Sequence, residues 1–266
     1  MRYSVVTICY NAENEIAGTM ESVLCQSVCD NFEYIVVDGA SKDRTIEIVK
    51  AYEPRFREKG IPFRWYSEPD KGISDAFNKG VLHAEGEIVA LVNAGDHLTP
   101  CAMETYAAAY EEDVDIYYGH IRWIDQANGL DYIRKSQPVP DALPLTMSIM
   151  HPACIIRKSA YESVGLYKTE FRYAMDRELL ARMLMAGRKF KCIDYVFSVM
   201  SAGGVSDTHA FDAQRKQESM SIALACGVSR LRFEWVFNRA KYRYCLIKWV
   251  KEHTNLYPFI MRLCKR

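Results

Sequence analysis

Four aspartates stand where chemistry is possible: Asp38 in "YIVVDGAS", Asp75 in "GISDAFNKG", Asp96 in "ALVNAGDHLTP" and Asp176 in "YAMDRELLARM". An ionised carboxylate accepts hydrogen bonds from N–H and O–H donors, ligates hard divalent cations, and takes a proton as a general base. Each of the four also has an ordinary structural use. Asp38 suits a strand-to-helix turn, and Asp176 suits an N-cap. Asp75 can pair with Lys79 at i, i+4, which contributes roughly a few tenths of a kcal/mol to a helix. Asp96, with Thr99 and Pro100 after it, suits a helix start; equally, an apolar run that delivers one acid to a corner can hold it out to a ligand such as a metal-bound phosphate. Locally both uses stay open.

The elements that would position these acids can be read from periodicity. "YSVVTIC" (3–9) precedes "ENEIAGTMESVLCQS", in which Ile16, Met20, Val23 and Leu24 mark one helical face. "FEYIVVD" leads to "DRTIEIVKAY", "FRWYSE" to "ISDAFNKGVLHAEG", and "EIVALVN" to "TPCAMETYAAAYEE". Strands apolar on both faces that alternate with helices imply an α/β domain, a doubly wound, mostly parallel sheet flanked by helices. Ligands bind such sheets beyond the carboxyl ends of the strands. Tyr10-Asn11, Asp38 to Ser41, Glu68 to Asp70 and Asn93 to Asp96 fall there. In the third helix Ile73, Ala76, Phe77, Gly80, Val81 and Ala84 form the apolar stripe, which leaves Asp75, Asn78 and Lys79 off it.

Composition narrows the class. Thirty-four basic and thirty-four acidic residues balance over 266 residues, which argues against a dedicated nucleic-acid binder. Nine cysteines without a CxxC pair suit a reducing compartment, and no apolar run reaches membrane-span length, so a cytoplasmic protein is expected. The turn "CYNAENE" after the first strand lacks GxGxxG and carries Glu13 and Glu15 where a pyrophosphate would need amides. That disfavours a nicotinamide oxidoreductase. The histidines show no HExxH spacing, so zinc chemistry is not expected.

Together, "VVTICYNAENEIAGTMESVLCQ", "YIVVDGASKDRTIEIV", "EPDKGISDAFNKGVLHAEGEIVALVNAGD" and "MDRELLARM" resemble glycosyltransferase family 2 of the bacterial surface-polysaccharide type. The resemblance spans residues 3 to 206 in the family's order and implies the GT-A fold. It divides the chain into a nucleotide-binding half over 1–98, an acceptor-binding half over 99–208 and a helical extension over 209–266. It implies inverting transfer from a nucleotide-sugar, expected to be UDP-linked, to a hydroxyl of a saccharide or lipid-linked saccharide acceptor. Thr7, Tyr10, Asn11, Asp38, Ser41, Asp75, Lys79, Asn93, Ala94 and Gly95 would then serve the nucleotide, with Asp70 and Gly72 beside it. Asp38 would accept from the uracil or ribose. The family's metal motif has two acids separated by one residue, whereas Asn93-Ala94-Gly95-Asp96 keeps one. Mg²⁺ or Mn²⁺ beside substrate phosphates needs only one or two protein carboxylates, so Asp96 is the expected ligand, with Asn93 as a neutral oxygen donor. Asp176 matches the family's base, with Glu178 as its neighbouring alternative, and His151 matches an acceptor-side position.

From Arg230 onward ten bases stand against two acids, a net of +8 that leaves the rest at −8. Bases interleaved with Trp, Tyr, Phe and Leu over 230–266 suit a helix lying on an anionic membrane surface, or equally one packed on the body with a charged outer face. Two rival functions remain: a nucleotidyltransferase and a non-catalytic sugar-nucleotide-binding protein. The first would ordinarily show a glycine- and base-rich loop after the first strand, which "CYNAENE" is not.

Overall fold

The computed structural model describes residues 3–26, 32–202 and 213–253. The paired strand and helix patterns become β1 (Tyr3–Cys9), α1 (Ile16–Leu24), β2 (Phe32–Asp38), α2 (Thr45–Glu58), β3 (Phe63–Ser67), α3 (Ile73–His83) and β4 (Ile88–Asn93). A second part adds β5 (His97–Leu98), α4 (Ala102–Ala108), β6 (Ile116–Asp125), β7 (Leu130–Arg134), β8 (Cys154–Arg157), α5 (Lys158–Val164), α6 (Met175–Met185) and β9 (Phe190–Ser201). Two helices, α7 (Ala213–Ala225) and α8 (Arg230–His253), follow.

The sheet runs β3-β2-β1-β4-β8-β6-β9-β5, with β7 paired to β6. β1 to β4 are mutually parallel where they pair. β8 lies antiparallel between β4 and β6, and β9 runs parallel to β6. Every residue of β1 and β2 is buried, as parallel strands covered on both faces require. One face packs Tyr34 against Phe56 and Phe63, with α1 and α2 above; the other packs Val6, Val37 and Leu91 against Phe77 and Val81 of α3.

Some elements differ from the periodic reading. α2 continues through Pro54 to Glu58, held by buried Phe56, whose ring lies 4.7 Å from that of Phe63. β3 is only half-buried because it forms the sheet edge. Ile73 points outward at 39% exposure and Ser74 takes the inner place, donating to the Phe171 carbonyl at 3.3 Å.

The expected boundary at 208/209 lies outside the described residues. α7, counted in the extension by the sequence reading, buries Glu218, Ser219, Ile222 and Ala223, and Ile222 joins the core around Leu179, Leu180 and Met183. It is packed as part of the body. α8 is anchored at its start by buried Phe233 and by Lys216–Glu234 at 2.8 Å, and is largely exposed beyond. Residues 254–266 of the expected tail are outside the described residues. Among the described residues no helix is long and apolar enough to cross a membrane.

Candidate active site

Parallel register brings the strand ends together. Cys9 lies beside Asp38, Asp38 beside Ser67, and Ile8 beside Asn93. Three loop amides extend the ladders: Gly39 N–H donates to the Cys9 carbonyl at 2.9 Å, Glu68 N–H to the Asp38 carbonyl at 3.0 Å, and Ala94 N–H to the Ile8 carbonyl at 3.1 Å. All four expected polar corners therefore share one edge.

Asp38 ties three of them. Its carboxylate accepts from the Ser41 N–H at 3.0 Å, from the Ser41 hydroxyl, and from the Ser67 hydroxyl at 2.6 Å. Asn11 N–H donates to Ser41 Oγ, and Lys42 N–H to Asn11 Oδ1. Asp38 is fully buried, whereas Tyr10 is 60% exposed and Asn11 is exposed. Asp38 thus anchors the turn, its acceptor positions taken by Ser41, Ser67 and the Cys9 thiol. Asn11 and Ala40 have φ of +48° and +61°, a conformation that costs non-glycine residues energy and concentrates at functional sites. Gly39 leaves room for its neighbours: a Cβ there would collide with the Asp70 carboxylate and touch the Tyr10 ring. Thr7 is placed differently, fully buried with its hydroxyl accepting from Tyr34 Oη at 2.9 Å. In this conformation it presents no side-chain atom to a ligand.

The Asp96 corner is built from α1 and β4. Thr19 Oγ1 accepts from Gly95 N–H at 3.0 Å and donates to the Asp96 carbonyl at 2.8 Å, while Gly95 takes φ of +96°. Asn93 Nδ2 donates to Asp96 Oδ2 at 3.0 Å. Asp96 is 6% exposed, and burial pushes its carboxyl up to about 7 against the opposing Asn93 hydrogen bond. A buried carboxyl raised in this way is ionised more readily when a positive charge lies against it. Among the described residues no three His, Cys, Asp or Glu side chains gather as a metal cage. One carboxylate and one amide fit a Mg²⁺ or Mn²⁺ that takes the rest of its shell from diphosphate and water.

Lys79 and Asp75 organise the neighbouring loop. Lys79 Nζ meets the Pro69 carbonyl at 2.7 Å and Glu68 at 3.1 Å, with Asp75 farther away at 3.8 Å. Asp75 accepts from Lys71 N–H, and Asp70 from Gly72 N–H. The lysine is therefore engaged with the loop that carries Asp70. Asn78, left unassigned by its place off the apolar stripe, clasps the Tyr167 backbone with two bonds of 2.8 Å. That clasp joins α3 to the segment leading into α6.

In the half expected to take the acceptor, α6 begins at Met175 with Ala174 at its N-cap, so Asp176 lies inside the first turn and is not the cap. Its Oδ1 accepts from Arg177 N–H at 2.7 Å, and it is half-buried. Glu178 is buried between Lys168 at 2.7 Å and Arg182 at 2.8 Å, which occupies the alternative base. His151 is 6% exposed, shares a 2.8 Å hydrogen bond with Tyr167 Oη and packs on Phe77. Burial holds its pKa below the usual histidine value, with Asp176 pulling the other way. As it stands the imidazole supports the wall behind Asp176. Thr19 and Ser67 escaped the sequence reading, whereas Asn78 was set apart by it without a role. Of the two, Thr19 carried a signal, a polar residue at i+3 on the face of Ile16 and Met20.

The model for Glycosyl transferase family 2 matches residues 4–165. An uncharacterized glycosyltransferase of Mycobacterium tuberculosis is 26% identical over 263 residues, covering 95% of this chain and 97% of that one. A PGL/p-HBAD biosynthesis glycosyltransferase of Mycobacterium bovis is 25% identical over 264 residues, with 93% and 96% covered. Among solved structures, S. aureus TarS 1-349 in complex with UDP-GlcNAc superposes with a TM-score of 0.66 at 17% identity, covering 89% of this chain and 70% of that one. The mannosyltransferase PcManGT from Pyrobaculum calidifontis, in complex with GDP-Man and Mn2+, gives 0.62 at 17% identity with 99% and 78% covered. The fold is that of these GT-A enzymes, and the match over more than half the length, on a sheet whose strand ends gather the expected polar corners, decides the family: the chain belongs to glycosyltransferase family 2.

Proposed function

We propose that the protein moves a sugar, with inversion, from a UDP-linked donor to a hydroxyl of a saccharide or lipid-linked saccharide during assembly of a cell-surface glycan. The observation that carries this reading is the single edge on which Tyr10, Asn11, Asp38, Ser41 and the Asn93–Asp96 corner meet. TarS with UDP-GlcNAc and PcManGT with GDP-Man and Mn2+ support a nucleotide-sugar donor, and the PGL/p-HBAD relative supports a surface glycan.

In this reading Tyr10 and Asn11 present the nucleotide with a ring face and a fixed amide, and Ser41 or Ser67 yields its place on Asp38 to a nucleoside donor. Asp96, with Asn93, would hold Mg²⁺ or Mn²⁺. The ion would supply charge neutralisation for the departing diphosphate. Asp176, half-buried and with one backbone donor on it among the described residues, takes the proton of the acceptor hydroxyl at its carboxylate. His151 and Tyr167 keep the wall behind it dry and fixed.

The extension completes the proposal. Leu231, Trp235, Tyr242, Leu246 and Trp249, 54–84% exposed, fall within about 60° of one another around α8, and Arg232, Arg239 and Arg243 follow one flank. An apolar stripe flanked by bases matches an anionic bilayer interface, and it would hold the enzyme peripherally on the cytoplasmic face of a membrane near a lipid-linked acceptor.

Hydrolysis of a panel of UDP- and GDP-sugars with Mg²⁺ or Mn²⁺ tests the function and identifies the donor. Release of UDP from one sugar nucleotide supports it. Binding without turnover would favour a non-catalytic binder, and pyrophosphate exchange with a nucleoside triphosphate would favour a nucleotidyltransferase.

A further inference from the structure

The N-cap of α6 is Ala174, whose side chain offers the helix no acceptor. The amides that enter this helix are nevertheless satisfied, and by a distant residue. Glu218 of α7, 7% exposed, accepts from Arg172 N–H at 3.0 Å through Oε1, and from Tyr173 and Ala174 N–H at 2.9 and 3.0 Å through Oε2. Gln214 Nε2 donates to the same Oε1 at 3.2 Å. Three backbone donors on one buried carboxylate form charge-assisted hydrogen bonds, and the charge lies at the positive end of the α6 dipole. Asp176 is two residues beyond the last of these amides.

We infer that Glu218 is a positioning residue for sugar transfer: it locks the turn Arg172–Ala174 and thereby sets the direction in which the Asp176 carboxylate meets the acceptor. The inference rests on the reading of Asp176 as base. It gives α7 a part in the chemistry, although it lies some forty residues from the catalytic helix in sequence and touches no reacting atom. The chemistry of the cap makes the role separable from size. A glutamine at 218 matches the volume but turns an NH₂ donor towards one set of amide donors, so the cap is broken on one side. An aspartate keeps both acceptor oxygens, one methylene short.

The experiment uses the full chain as E218Q, E218D and D176N. Three quantities are read: amide hydrogen exchange at residues 172–174, UDP affinity with Mn²⁺, and hydrolysis of the donor chosen by the sugar-nucleotide panel, with water as acceptor. E218Q is expected to speed exchange at 172–174 and lower kcat at least tenfold, while the donor KM and the UDP affinity stay within twofold. E218D should recover part of kcat. A purely structural role would lower the melting temperature and leave the kcat of the folded protein unchanged. Exchange that does not rise, or E218Q with kcat within twofold of the parent, overturns the inference. Should E218Q not fold, E218D carries the same comparison, and parental kcat in it despite faster exchange at 172–174 overturns the inference equally. Failure of the underlying reading is distinct, because it appears as D176N turning over at the parental rate.

Discussion

Replacing Asp96 by asparagine separates two consequences of burying one carboxyl at the end of β4. The group moves from an ordinary 3.8 to about 7 because burial disfavours its charge. A native pKa above the unfolded one means that the folded state binds the proton more tightly between those values. The stability this contributes is complete below the unfolded pKa and is lost as pH rises towards 7. Over the whole window the loss is about 4 kcal/mol, and between pH 5 and pH 8 about 2–3 kcal/mol. Asp96→Asn cannot titrate. Urea unfolding of parent and variant in EDTA, at pH 5 and pH 8, should therefore show the variant gaining about 2–3 kcal/mol relative to the parent on going to pH 8. All other titrating groups are common to both and cancel. Mn²⁺ with UDP should then stabilise the parent at pH 8 more than the variant, which keeps the nucleotide contacts but lacks the ionised oxygen that the ion needs. Parallel pH dependences would refute the buried-carboxyl reasoning, and equal stabilisation by Mn²⁺ and UDP would refute the ligand assignment.

Other outcomes follow from the same geometry. Gly39→Ala sets a methyl against the Asp70 carboxylate and the Tyr10 ring, so UDP affinity by calorimetry should fall at least tenfold while the unfolding midpoint changes little. Asn78→Ala removes both bonds to the Tyr167 backbone; loss of about 1–3 kcal/mol in urea unfolding is expected, since the Tyr167 groups are left without partners. Deleting residues 230–266 should weaken flotation with phosphatidylserine-containing liposomes and leave that with phosphatidylcholine unchanged, each lost base near the surface contributing about 1 kcal/mol. Unchanged flotation would remove the membrane reading.

The frame and the shared edge were legible because they depend on periodicity and on one topological rule. A parallel sheet brings its carboxyl ends to one side, so Asn11, Asp38, Asn93 and Asp96 had to converge once the strands were located. Side-chain direction was less legible. Where both faces of a strand are apolar, alternation carries no signal, and nothing in "VVTIC" marks Thr7 as bonded inward to Tyr34. His151 could be placed near the acceptor side but not inside the wall, since its burial comes from Phe77 and Tyr167 on other elements. The structural alternatives came out unevenly. Asp176 proved not to cap its own helix, because Ala174 holds the cap position and Asp176 falls in the first turn; Glu218 of α7 takes the amides just before it. The signal for Glu218 was a carboxylate four residues before Ile222 on one helical face, which reads as a misplaced charge until its three amide partners are known.

Asp176 is the residue on which the proposed transfer depends most directly. With the donor selected by the sugar-nucleotide panel, the rate of sugar transfer or hydrolysis by Asp176→Asn should fall by at least a thousandfold, while UDP affinity with Mn²⁺ stays within twofold of the parent. A variant that turns over at the parental rate would contradict the assignment of the base, and with it the proposed inverting transfer.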